Sequence, residues 1–245
     1  MNDENDRCVY CGDFFKGDKT DDHIPPISLI PQEFKTNLLT VPCCSGCQEG
    51  TSADDEWFRD MITVDARLPI NVRNELHPRL TRAWAKDPQK KWSRTKRITQ
   101  QFYITPLGLV YPELEINPNN FRMGRVVARI VKALVYVEQG YTKNIRELST
   151  FAWNWEAFRN TRQTQAIRLD IYNLLATMQP NTIGGILKYK VKFIDPPPEE
   201  AGKIQLGLWM LWFYGQIPFV GISGGSVTFD RRAMFRNKYQ REKKR

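Results

Sequence analysis

The sequence predicts an α+β protein with a small metal-stabilised module at its N-terminus, and three observations carry that expectation. Between residues 122 and 139 the apolar side chains recur at helical spacing, whereas Leu187, Tyr189, Val191 and Phe193 alternate with Lys188, Lys190 and Lys192. A period of 3.6 residues marks a one-sided helix and a period of 2 a half-buried strand. All 5 cysteines lie in the first 47 residues, in pairs spaced as metal ligands are. The expected division is a zinc-knuckle module over residues 1–60 and a basic body of helices and antiparallel sheet over residues 61–245.

Composition bounds the rest. A chain of 245 residues with 41% hydrophobic side chains, 12% aromatic ones and 7 Trp has the material for a packed core and is not that of a disordered protein. A net charge of +9 suggests an anionic partner. The charge is uneven: residues 1–60 hold five Lys+Arg against thirteen Asp+Glu, so an acidic head is joined to a strongly basic body. The opening MNDENDR is not a signal peptide, which makes the cytoplasm the expected compartment. Residues 204–229 contain no charged side chain, but Gly207, Gly215, Pro218 and Gly221 interrupt them, and buried strands are expected there rather than a membrane span.

Taken in order, Cys8-x2-Cys11 followed by Gly12 forms a knuckle, a tight turn aiming two thiolates at one centre. A second pair closes the site. Cys44-x2-Cys47 repeats the first spacing, Cys43-x3-Cys47 is the other arrangement available, and the first leaves Cys43 over. Four thiolates around one tetrahedral Zn2+ leave no open position, the mark of a structural ion. Between the knuckles lies Asp21-Asp22-His23-Ile24-Pro25-Pro26. Neighbouring side chains on a strand point to opposite faces, so Asp22 and His23 can serve one centre only if the strand ends or bends there, and the two prolines are expected to end it. His23 can accept a proton from water near neutral pH.

The order CxxC, DHIPP, NLLTVP and CxxC resembles the HNH endonuclease superfamily in its zinc-stabilised form with a ββα-metal site. The resemblance covers about residues 8–60. It implies that His23 is the general base, that Asp22 binds a catalytic divalent ion, Mg2+ first among candidates, and that Asn37 braces the histidine loop. The family usually follows its last cysteine with Asn or His as a further ligand. Here that position holds Gln48, and Asp54 or Asp55, in a TSADDEWFRD segment similar to one found in an HNH subgroup, stands near enough in sequence to compensate. The implied chemistry is metal-assisted hydrolysis of phosphodiester bonds, and the metal would account for an acidic head on a protein that binds phosphates.

Beyond Arg59 the chain turns basic. A helical stretch from Arg59 to Leu80 breaks at Pro69. A belt follows in which Arg79, Arg82, Lys86, Lys90, Lys91, Arg94, Lys96 and Arg97 are interleaved with Trp84 and Trp92. It suits phosphate contact with stacking, or equally a solvated face with core-facing Trp. Residues 100–111 read as a strand or hairpin turning at Pro106-Leu107-Gly108. In the helix Arg122–Gln139, Met123, Val126, Val127, Ile130, Leu134 and Val137 face the core and Gly140 stops it. Arg122, Arg125, Arg129 and Lys132 share a second face that suits a nucleic-acid backbone, or equally is a solvated face. Residues 151–158 and 165–178 read as helical or mixed. The strand carrying Lys188, Lys190 and Lys192 offers a second cationic row. Two apolar strands, residues 204–213 and 217–222, lead to a hairpin turn at Ser223-Gly224-Gly225-Ser226, and residues 231–245 form a basic helix or tail.

Two function classes follow: a metal-dependent endonuclease on DNA, with RNA also open, or a zinc-stabilised nucleic-acid-binding protein whose cleavage is weakened or lost at Gln48. A membrane-associated effector built on residues 204–229 is a more distant third. Nothing in the chain selects a target sequence, so a protein partner that directs it, as in phage packaging or a defence system, is a further expectation.

Overall fold

The computed structural model describes residues 6–35, 38–95, 98–104, 110–116, 121–140, 147–155, 162–196 and 204–225. The chain is α+β with antiparallel sheets throughout. A hairpin of β1 (Lys19–Ile24) and β2 (Leu39–Cys44) runs directly into a short helix, α1 (Ser45–Glu49), followed by α2 (Ser52–Val64), α3 (Ile70–Lys86) and α4 (Pro88–Thr95). A second hairpin, β3 (Ile98–Ile104) and β4 (Val110–Ile116), precedes the long α5 (Phe121–Gln139). Then come β5 (Leu148–Asn154), α6 (Arg162–Ala176), β6 (Asn181–Ile183), β7 (Leu187–Ile194), β8 (Leu206–Phe213) and β9 (Ile217–Gly225). The last five strands form one sheet in the order β5-β9-β8-β7-β6.

That sheet is covered on both faces, which is why its central strands read as unbroken apolar runs. Along β8, Trp209, Leu211 and Phe213 join the cluster that includes α5 and the N-terminal residues, while Leu208, Met210 and Trp212 pack with Ile171 and Leu175 of α6. The apolar stretch from Ile204 onward is therefore sheet interior, and among the described residues no helix is long and apolar enough to cross a membrane. On β7, Lys188, Lys190 and Lys192 stand opposite Trp212, Met210 and Leu208, on the side that α6 covers. Lys190 Nζ is hydrogen-bonded to the carbonyls of Leu175 and Ala176 at 3.1 and 3.3 Å, so it caps the negative end of α6. Lys188 and Lys192 remain exposed.

α5 lies close across β5 and β9 because two glycines clear its path. A Cβ on Gly124 would sit 2.6 Å from the Ala152 carbonyl oxygen, and one on Gly221 would sit 2.7 Å from Val131 Cγ2. The buried face of α5 holds Met123, Val126, Val127, Ile130 and Leu134 as the periodicity requires, and Gly140 with φ +70° ends the helix. Val137, expected in the core, is 39% exposed, because it lies in the last turn near the helix end.

One buried cluster runs from Val9 to Phe219. Phe58 of α2 meets the rings of Phe213 and Phe219 at 5.1 and 5.7 Å, and the Tyr214 hydroxyl donates to the Leu29 carbonyl. The module edge expected at residue 60 thus falls inside α2, whose side chains belong to this common core. Pro69 stands at the N-cap of α3, where a residue without a free N–H costs least. Two local expectations give way to tertiary context. Residues 151–154 lie in strand β5, beside β9. Ser223, Gly224 and Gly225 continue β9 and pair with Thr150, Ser149 and Leu148; a central strand with neighbours on both sides outweighs the turn propensity of Ser-Gly-Gly. The turn at residues 106–108 and the segments 226–229 and 231–245 lie outside the described residues.

Candidate metal centre

The cysteines come together through the first hairpin. The loop of Cys8 and Cys11 lies against β2, with the Val9 amide donating to the Pro42 carbonyl at 3.0 Å. Gly12 closes the knuckle at φ +75°, a left-handed conformation open to glycine. Cys44 is the last residue of β2 and Cys47 lies on the first turn of α1. The sulfurs of Cys8, Cys11, Cys44 and Cys47 all lie within 4.8 Å of one another, and those of Cys11 and Cys44 are 3.9 Å apart. Sulfurs at about 2.3 Å from a tetrahedral ion are about 3.8 Å from each other, so the four can hold a metal ion such as zinc.

The knuckle backbone suits thiolates. The amide of Tyr10 points at Cys8 Sγ at 3.4 Å and that of Asp13 at Cys11 Sγ at 3.5 Å. Burial works against ionisation of Cys8, but the backbone N–H groups of Cys11, Cys44 and Tyr10 outweigh it and hold the thiol below its ordinary value. Burial pushes Cys11 up to about 11, the state a cation at the centre reverses. Cys43, one residue along the strand, faces the other way, is fully buried and contacts the Thr20 hydroxyl at 3.1 Å. Alternation along β2 therefore decides between the two pairings the sequence left open.

Asp22 and His23 occupy successive positions of β1, paired with Val41 and Thr40. β1 ends at Ile24, directly before Pro25 and Pro26, and the pairing of Ile24 with Leu39 keeps both Asp22 and His23 within it. The two side chains accordingly leave on opposite faces. Asp22 is buried and His23 half-buried. Asp22 Oδ2 accepts a hydrogen bond from the Tyr10 hydroxyl at 2.6 Å and lies 3.8 Å from Arg129 Nε. Burial and the Asp22 carboxylate together push the Tyr10 phenol well above its usual range. On α1, the Gln48 side-chain amide donates to the Asp21 carbonyl at 3.2 Å. Asn37 lies outside the described residues.

The basic stripe of α5 turns toward the acidic residues of α2. Arg125 reaches Asp54 at 2.7 Å and Arg122 reaches the same carboxylate at 3.3 Å. Arg129 gives both Asp55 oxygens a hydrogen bond at 2.7 Å. Burial raises the Asp55 carboxyl even against the pull of Arg129. Lys132 is half-buried near Cys8, Cys11 and Cys47, and burial lowers its ammonium pKa against the pull of those sulfurs. Four thiolates on one divalent ion carry two surplus negative charges, which a neighbouring ammonium offsets. The row read as one nucleic-acid track is thus divided: Arg122 and Arg125 at the half-exposed rim, Arg129 inside, Lys132 beside the cysteines. Tyr10, which the sequence did not single out, is the missing member. Its place between the two knuckle cysteines was the available signal.

Of the two Asp22 oxygens, Oδ2 is the one held by the Tyr10 hydroxyl and facing the Arg129 guanidinium. Comparison with protein-family models, curated proteins and solved structures finds no match for the chain.

Proposed function

We propose that the chain is a zinc-stabilised endonuclease of the HNH type that hydrolyses phosphodiester bonds in DNA, with His23 as the general base. The observation that carries this reading is the assembly of the β1–β2 hairpin and α1 about four clustered cysteine sulfurs, with His23 on the less buried face of β1 and Gln48 reaching that strand from α1. This supports the ββα arrangement that the motif order implies. His23 would take the proton of an attacking water; a divalent cation, when bound, would neutralise the scissile phosphate. Arg122 and Arg125, each about half exposed, are suited to phosphates at the rim.

A second reading rests on Asp22: with its carboxylate engaged by Tyr10 and beside Arg129, the module binds nucleic acid without cutting it. Both are tested by incubating the zinc-loaded protein with plasmid DNA and with RNA in Mg2+, Mn2+ or Ni2+, beside His23→Ala. Nicking that His23→Ala reduces by a hundredfold or more is the expected result. Equal nicking by both proteins removes His23 from the chemistry, and binding without cleavage by either establishes the second reading. Gln48→Asn separates cause from coincidence: a large gain in rate would locate the weakness at that side chain.

A further inference from the structure

We propose that Arg129 is a resident cation on Asp22 and Asp55, filling the place a divalent ion would take, so that the resting chain binds the ion at Asp22 only weakly unless α5 yields. The inference rests on the reading of Asp22 as the ion's ligand and gives that site a built-in restraint. Three features of the structure carry it. Arg129 comes from α5 of the body, whereas both carboxylates come from the N-terminal segments, β1 and α2. Its side chain is 9% exposed, and those of Asp22 and Asp55 are 11% and 15% exposed, so the three charges are compensated mainly by one another. Its contact is lopsided: Nη2 serves both oxygens of Asp55 at 2.7 Å, while the buried Nε has no hydrogen-bond partner and lies 3.8 Å from Asp22.

Two carboxylates brought into one buried place repel each other unless a cation lies between them. A guanidinium does this without the strict octahedral shell that Mg2+ demands. Tyr10 completes the arrangement, its hydroxyl on Asp22 and its ring 5.8 Å from the guanidinium carbon of Arg129. Guanidinium and divalent ion would then compete for the same two carboxylates, and removing the first would favour the second.

The test is direct ion binding, separate from cleavage. Zinc-loaded protein, freed of loosely held metal, is titrated with Mn2+ and the free ion is read by electron paramagnetic resonance, with zinc content and near-ultraviolet circular dichroism checking the fold. Wild type is expected to bind Mn2+ weakly, Arg129→Gln at least tenfold more tightly, and Arg129→Gln with Asp22→Asn no better than wild type. Arg129→Lys keeps the charge but breaks the two-oxygen contact with Asp55. It is expected to give a smaller, Asp22-dependent gain, and it answers the question if the Gln variant does not fold. A tight wild-type site abolished by Asp22→Asn would overturn the proposal while leaving the nuclease reading intact. So would a folded Arg129→Gln or Arg129→Lys with no gain. Absence of cleavage by Arg129→Gln loaded with Mn2+, alongside the expected Mn2+ pattern, would overturn the nuclease reading and leave the restraint.

Discussion

Cys43 and Cys44 are neighbours with opposite fates, and the difference is one step of strand alternation. Cys44 points to the knuckle, whereas Cys43 points into the core beside Thr20. Replacing Cys44 by Ser is therefore expected to reduce bound zinc from about one ion per chain to near none. Cys43→Ala is expected to keep the ion and to lose stability of about 1 kcal/mol from the small cavity. Zinc content by atomic absorption and denaturant midpoints read the two effects apart. A Cys43→Ala protein without zinc would return Cys43 to the ligand set. The same alternation separates Asp22 from His23: Asp22 leaves on the more buried face, where it meets Tyr10 and Arg129, and His23 leaves on the other.

Among the elements, α5 connects the most. It lies on β5 and β9 with one face and meets α2 with the charges of another, so the sequence marked the helix correctly while leaving the object of its second face open. Gly124→Ala tests the first contact. A new Cβ 2.6 Å from a backbone carbonyl cannot be absorbed by a side-chain rotation, and the expected loss is about 1–3 kcal/mol despite alanine's better helix propensity. An unchanged denaturation midpoint would mean that α5 stands farther from β5. What was legible were elements whose pattern is local: α5 from its 3.6 period, β7 from its alternation, the knuckles from their spacing. What was not legible depends on partners distant in sequence. Residues 151–154 became a strand because β9 lies beside them, Ser223 to Gly225 because β5 does, and Arg129 became a buried ion-pair partner because Asp55, in α2, waits for it.

At the scale of the molecule, the acidic head and basic body are complementary surfaces pressed together, and part of the charge asymmetry is spent on Arg122, Arg125 and Arg129 meeting Asp54 and Asp55. The shared core from Val9 to Phe219 would spread the stabilisation from a metal held by the cysteines over the whole chain. Stripping zinc with a strong chelator is expected to lower the melting temperature of a single cooperative transition by several degrees, since a ligand bound only to the folded state stabilises it by mass action. Two separate transitions, of which only one responds to chelator, would show instead a head that folds by itself. Beneath all of this stands the proposed zinc centre: four clustered cysteine sulfurs at the β1–β2 hairpin, with His23 outside the coordination sphere. X-ray absorption at the zinc edge tests it most directly. Four sulfurs at about 2.3 Å and no nitrogen or oxygen neighbour is the expected result; a mixed shell containing imidazole nitrogen would make His23 or His77 a ligand and contradict it.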